Sequence, residues 1–250
     1  MKDEKVAARW AQTSEASYEQ IAPEYYDPRH HPTCANFREA SAVILRGWLG
    51  RFPARRGLIC EAGAGKSLAA ELLAEQAPAA LPRLLITDAS PSMLDYSSGW
   101  EAKGARLAIC EASDLPVEDG EVALLISSLG DPYNEPAFWA EARRGLAPGG
   151  RCFYTTPSHE WASAFRSSAA GEEALAAAFD LSGDGRVHVP SWIYPEGEQR
   201  GLIEGHGLAV DEVWDVRLPE LKSGPISPKL RLEGRPGLSV VTGYLVSKSA

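Results

Sequence analysis

Apolar positions in this chain follow two patterns, and the patterns alternate. Through the middle they form short runs: Leu58-Ile59-Cys60, Leu84-Leu85-Ile86, Arg106 to Ile109, Val122 to Ile126 and Arg151 to Thr156. Short runs closed by glycine, proline or an acid predict buried strands. Between the first two lies Ser67 to Ala77, rich in Ala and Leu at helical spacing. Strand, helix and strand in that order predict a parallel sheet with helices on its faces.

The flanks differ. Glu4 to Gln12, Ser14 to Ile21 and Asn36 to Leu49 are expected as helices, the last with a broad apolar face. Ala22 to Pro32 carries three prolines, which predicts no regular helix there. After the fifth run, Gly171 to Phe179 is expected as a helix from its alanines, Leu181 to Arg186 as a turn, and Val187 to Tyr194 as extended chain. Pro195 to Gly205 then predicts a helix and Leu208 to Leu218 a strand. A proline- and glycine-rich loop, 219–237, and a last strand, Leu238 to Ser247, follow.

The chemistry starts at Glu61-Ala62-Gly63-Ala64-Gly65-Lys66, between the first strand and the first helix of the sheet. Glycines let the backbone pass close to a ligand, and a helix N-terminus offers unpaired N–H groups. Three nucleotide-like cofactors use such a turn. A phosphate-binding loop needs Gly-x-x-x-x-Gly-Lys-Ser/Thr, and the first glycine of that pattern would fall on Cys60. A dinucleotide turn needs a third small residue where Leu68 stands.

The third class fits. Glu61-x-Gly63-x-Gly65 resembles motif I of the class I S-adenosylmethionine (SAM)-dependent methyltransferases, with Ser67 in place of the third glycine. The family's later segments have counterparts in the same order. These are Asp88 closing the second strand, Ala89-Ser90-Pro91-Ser92-Met93-Leu94 after it, Arg106 to Pro116, Val122 to Ser128, and Leu146-Ala147-Pro148-Gly149-Gly150 before the fifth strand. The resemblance covers residues 57–156. It implies a Rossmann-like, doubly wound α/β sheet of seven strands, the last antiparallel. It also implies an N-terminal helical cap or lid over residues 1–50, a methyltransferase domain over 51–250, and a substrate-shaping insertion near 157–192.

The same resemblance assigns roles. Gly63 and Gly65, with Ala62 and Ala64, lie along the methionine part of the cofactor, and Glu61 holds the turn or orients the cofactor ammonium. Asp88 accepts the ribose hydroxyls, beside Ala89 and Ser90. Met93 covers adenine, and Ala112, Ser113 and Asp114 lie at its edge. Ser127 and Ser128 lie near the methionine part. Tyr18-x-x-x-Ala22-x-x-Tyr25 is similar to the family's N-terminal segment over the pocket, which places Tyr18 on the cofactor and Tyr25 on the substrate. No metal is called for.

For proton chemistry the candidates are His30 and His31 in the proline-rich loop and His159 past the fifth strand, since imidazole titrates near neutral pH. Tyr133, Trp161 and Trp192 are expected on the substrate wall and predict an apolar or aromatic small molecule. Asp131-Pro132-Tyr133-Asn134 resembles the Asp/Asn-Pro-Pro-Tyr motif of amino-group methyltransferases but lacks a proline. It is read as a turn opening a helix from Glu135.

Bulk properties exclude more than they assign. The 250 residues are 44% hydrophobic and 24% charged, within the globular range. A formal net charge of −9 argues against a nucleic-acid surface, which needs a basic field. No apolar stretch reaches membrane-spanning length, and Met1 to Lys5 leads into no signal-type core. Cys34, Cys60, Cys110 and Cys152 have no zinc-type spacing and predict buried thiols. A cytoplasmic enzyme is therefore expected, binding SAM and a small molecule, with no nucleic-acid or membrane partner. The alternative is a domain that binds SAM without turning it over, as a regulator or interaction module.

Overall fold

The computed structural model describes residues 15–52, 56–166, 175–183 and 185–249. The predicted helix Glu4 to Gln12 lies outside them. Seven strands form one twisted sheet: β1 (Leu58–Glu61), β2 (Leu84–Asp88), β3 (Arg106–Ile109), β4 (Val122–Ser127), β5 (Leu146–Pro157), β8 (Ala209–Arg217) and β9 (Ser239–Ser247). Their order is β3-β2-β1-β4-β5-β9-β8. The first five are parallel, and β9 inserts antiparallel between β5 and β8. The sheet is thus the expected Rossmann-like one with its last strand antiparallel. A separate hairpin, β6 (Ala176–Leu181) with β7 (Gly185–Pro190), follows the fifth strand.

Alternation along the strands sorts the core into two layers. Ile59, Leu84, Ile86, Leu124, Ile126 and Phe153 face one way, under α2 (Pro32–Arg51) and α3 (Leu68–Gln76). Cys60, Leu85, Leu125, Cys152 and Tyr154 face the other way, towards α5 (Pro136–Gly145) and α7 (Glu196–Glu204). All four cysteines are free thiols, and burial raises the pKa of each. No helix of the described residues is long and apolar enough to cross a membrane.

Three local expectations are corrected. The Pro-Gly-Gly turn before the fifth strand lies inside β5, as a bulge where the pairing with β4 slips between Val122 and Leu124. Ala176 to Phe179 is strand rather than the end of an alanine-rich helix. Pairing with β7 and burial of Ala177, Phe179 and Leu181 on the N-terminal segment override helix propensity. Finally, α1 (15–25) runs through Pro23. A proline there removes one helical hydrogen bond. Full burial of Ile21, with Tyr18 and Tyr25 packed on Val187 and Val189, offsets that loss.

Candidate active site

The turn between β1 and α3 is built from inside. Glu61 ends β1 fully buried and points along the start of α3. One of its carboxylate oxygens accepts from the amides of Leu68 (3.1 Å) and Ala69 (3.0 Å), and the other from the Ser67 hydroxyl. Ser67 Oγ in turn accepts from the Ala70 amide. Burial lifts the Glu61 carboxyl to about 7, against those hydrogen bonds. Glu61 therefore caps the helix and does not line the cavity.

The remaining amides of the turn are also engaged. Ala64 N donates to Thr87 O, Gly65 N to Asp88 Oδ2 (2.8 Å), Lys66 N to Tyr26 Oη (2.7 Å) and Ser67 N to Ser97 Oγ (2.8 Å). The unpaired N–H groups expected at this helix start are absent from Ala64 to Ala70. A phosphate would find no amide cradle there.

Gly63 and Gly65 both take positive φ, +59° and +46°. A Cβ on Gly63 would overlap the Tyr133 ring, and one on Gly65 the Tyr26 hydroxyl. The glycines thus admit the protein's own phenols as well as a ligand. Tyr133 Oη donates to Ala62 O (2.7 Å), so Ser127 Oγ, 3.0 Å away, donates to Tyr133. Those bonds keep Ala62 and Ser127 behind the wall.

One cavity of about 1050 Å³ runs over this turn, at the upper end of ligand-pocket sizes. Gly63, Ala64, Gly65, Asp88, Ala89, Ser90, Met93, Ala112, Ser113, Ser128 and Tyr18 line it, as do Tyr25 and Tyr133. Asp88 accepts from the amides of Gly65 and Ser90, one per oxygen. Each carboxylate oxygen keeps a lone pair for a further donor. Burial raises the Asp88 carboxyl to about 6. Asp114 is exposed and outside the cavity; Glu111, at the end of β3, lines it instead.

None of the three candidate histidines lines the cavity. His30 is exposed beside Asp27 (3.2 Å). His31 is buried, but its Nε2 faces Glu24 (3.1 Å) and its ring packs on Phe179. His159 opens α6 (His159–Phe165), half-buried. Two predicted wall aromatics also lie elsewhere. Trp161 packs edge-on to Phe37 and donates to Lys229 O, and Trp192 is tied by its amide to Asp131 O.

Two residues outside the expected site also hold it: Tyr26, whose hydroxyl caps the Lys66 amide, and Glu19, which fastens α1. Glu19 accepts from Ser90 Oγ (2.5 Å), Ser92 N (3.0 Å) and Ser92 Oγ (2.5 Å), at the start of α4 (Pro91–Asp95). These hydrogen bonds lower the Glu19 pKa. Tyr96 Oη donates to Ala22 O (2.7 Å) on the same segment. The only sequence signal for such contacts was the tyrosine-rich spacing from Tyr18 to Tyr26.

With this geometry in hand, comparison with known proteins is specific. Residues 60–154 match the sequence profile of a family described as a methyltransferase domain. The surrounding sheet has the class I SAM-dependent methyltransferase fold. A chain of the complex between the Haloferax volcanii Trm112 methyltransferase activator and a methyltransferase is 16% identical to this one. That match covers 94% of this chain and 96% of that one, with a TM-score of 0.64. The Burkholderia thailandensis 1,6-didemethyltoxoflavin-N1-methyltransferase was solved with 1,6-didemethyltoxoflavin and S-adenosylhomocysteine. It shares 17% identity over 94% of this chain and 88% of its own, with a TM-score of 0.54. The Streptomyces coelicolor A3(2) geranyl diphosphate C-methyltransferase shares 16% identity over 84% and 78%, with a TM-score of 0.57. At these identities the methyltransferase likeness is one of fold. Among curated proteins, none matches the sequence significantly.

Proposed function

We propose that this chain is a SAM-dependent methyltransferase acting on a small molecule enclosed beside the cofactor. One observation carries the reading: a single cavity joins the glycine turn, the Asp88 carboxylate and a chamber walled by Tyr18, Tyr25 and Tyr133. When bound, SAM supplies an electrophilic methyl carbon, so the protein's task is chiefly positioning. Asp88 fits two ribose hydroxyls with its free lone pairs. Met93 is placed to cover adenine, and Ala112 and Ser113 to flank its edge. Gly63 and Gly65 lie along the methionine part. The self-capped start of α3 supports a nucleoside ligand anchored by its ribose rather than by a phosphate.

The cavity phenols remain protonated at neutral pH. Burial raises the pKa of Tyr18, Tyr25, Tyr26 and Tyr133 alike. They orient and enclose an acceptor; they do not act as bases. The aromatic lining supports an apolar or aromatic acceptor. Helix α1 acts as the lid, held by Glu19 and Tyr26. The test is thermal stability with S-adenosylhomocysteine, ATP–magnesium or NAD, followed by turnover across amines, phenols and carboxylic acids. Stabilisation by S-adenosylhomocysteine alone, with a methylated product, is expected. Stabilisation by ATP–magnesium or NAD would refute the cofactor assignment. Tight binding without any product would favour the regulatory module.

A further inference from the structure

The cavity wall built by α1 and the turn after β4 is aromatic, with one carboxylate behind it and another at its edge. Tyr18 and Tyr25 meet edge-on at 6.1 Å, and Tyr133 and Phe138 at 5.2 Å; all four line the cavity. Asp131 lies behind them, 8% exposed. Its charge raises the pKa of Tyr18, Tyr25, Cys34 and Tyr133, after burial in each case, so it lies within electrostatic reach of all four. Its Oδ2 accepts from Ser191 Oγ (2.5 Å), which itself receives Arg166 Nη2 (2.8 Å). Arg166 is thus a countercharge held one hydroxyl away. Glu135, four residues along, lines the cavity half-buried. No lysine or arginine among the described residues stands within ion-pair distance of it. Ring faces backed by carboxylates favour positive charge in front of them.

We propose that the acceptor is an amine, methylated on nitrogen. Tyr18, Tyr25 and Tyr133, in front of Asp131 and beside Glu135, form the pocket for the positive charge that nitrogen acquires. The proposal rests on the methyltransferase reading above. In the transfer the amine lone pair forms the N–C bond as the methyl C–S bond breaks, and that bond's electron pair stays on sulfur. Positive charge therefore moves from sulfur to nitrogen. A primary or secondary amine then gives its extra proton to water. A pocket of this sign stabilises the transition state more than the neutral amine. An anionic acceptor, a phenolate or carboxylate, would be repelled on entering and would gain nothing in the transfer.

The test is calorimetric binding to protein saturated with S-adenosylhomocysteine. The probes are benzyltrimethylammonium, its uncharged carbon isostere neopentylbenzene, and benzoate. At least tenfold tighter binding of the cation than of either other probe is expected. Asp131→Asn is expected to cut that preference at least fivefold while S-adenosylhomocysteine affinity stays within twofold. Tyr25→Leu, on the substrate side of the cavity, provides the same readout should Asp131→Asn fold poorly. Equal binding of cation and isostere, no binding of the cation, or a preference for benzoate would overturn the proposal. So would an undiminished preference in the variants. Absence of S-adenosylhomocysteine binding would instead overturn the methyltransferase reading, and the amine proposal with it.

Discussion

Glu61 offers the sharpest test of how the glycine turn after β1 is held. It is a fully buried carboxylate with three donors on it: the Ser67 hydroxyl and the Leu68 and Ala69 amides. Glu61→Ala leaves all three without an acceptor in a dry site. Each buried orphan costs about 1–3 kcal/mol, so a loss of about 3–9 kcal/mol is expected. Glu61→Gln keeps a carbonyl for the two amides and disturbs only the hydroxyl, so its cost is about 1–2 kcal/mol at low pH. The pH dependence separates charge from packing. The folded carboxyl titrates at about 7 against 4.5 for the free group. The folded state thus binds this proton more tightly than the unfolded chain does. Its contribution to stability is lost as pH rises from near 4.5 to near 7, in total about 3 kcal/mol, and is flat above that. Glu61→Gln abolishes that slope. Asp88 and Asp131 have the same sign and remain in both proteins, so the difference between the two curves reports Glu61 alone. The assay is urea unfolding followed by circular dichroism from pH 5 to 8. Parallel curves for wild type and Glu61→Gln, or a Glu61→Ala loss below about 1 kcal/mol, would refute this account of the cap.

Other outcomes follow from the same geometry. Asp88→Ala is expected to weaken S-adenosylhomocysteine on the order of 10–100-fold by calorimetry, as two charge-assisted hydrogen bonds are lost; unchanged affinity would remove Asp88 from the site. Gly63→Ala combines a left-handed backbone with overlap of the Tyr133 ring. It should cost more than the roughly 1–2 kcal/mol of backbone strain alone in urea unfolding, with Tyr133→Ala restoring part; a cost below the strain figure would show that the ring moves freely. Glu19→Ala should raise amide exchange in α1 while leaving exchange in β1, β2 and β4 unchanged, and should shorten S-adenosylhomocysteine residence; equal exchange in α1 would show that Glu19 is not a latch.

What the sequence made legible was the part where local pattern and tertiary role agree. Gly63, Gly65 and Asp88 can be read because the strand–turn–helix needs glycine where φ is positive and ends a parallel strand at the cavity. The two-faced alternation of β1, β2 and β4 likewise states which layer each residue enters. Other residues were misplaced because their position depends on partners far along the chain. Ala176 to Phe179 favours helix alone and becomes strand only beside β7. His31 has the right chemistry for a base, yet Glu24 and Phe179 turn it away from the cavity. Trp161 carries an aromatic signal that core and pocket share, and its indole belongs to the core. Tyr26 stands next to Tyr25 in the sequence with nothing to mark it, and only the fold brings its hydroxyl to Lys66.

The latch on α1 also sets an order of events in making the protein. A helix of this length has little stability by itself. Its fastenings lie far downstream: Ser90 and Ser92 are 71 and 73 positions beyond Glu19, and Ser182 is 158 beyond Glu24. At about 5–20 residues per second, Ser182 leaves the ribosome's catalytic centre roughly 8–30 s after Glu24. A segment made early therefore docks only after residues made much later. Until then the nascent chain carries Ile21, Tyr18 and Tyr25 uncovered, and the half-built domain has an open cleft where the finished one has a chamber.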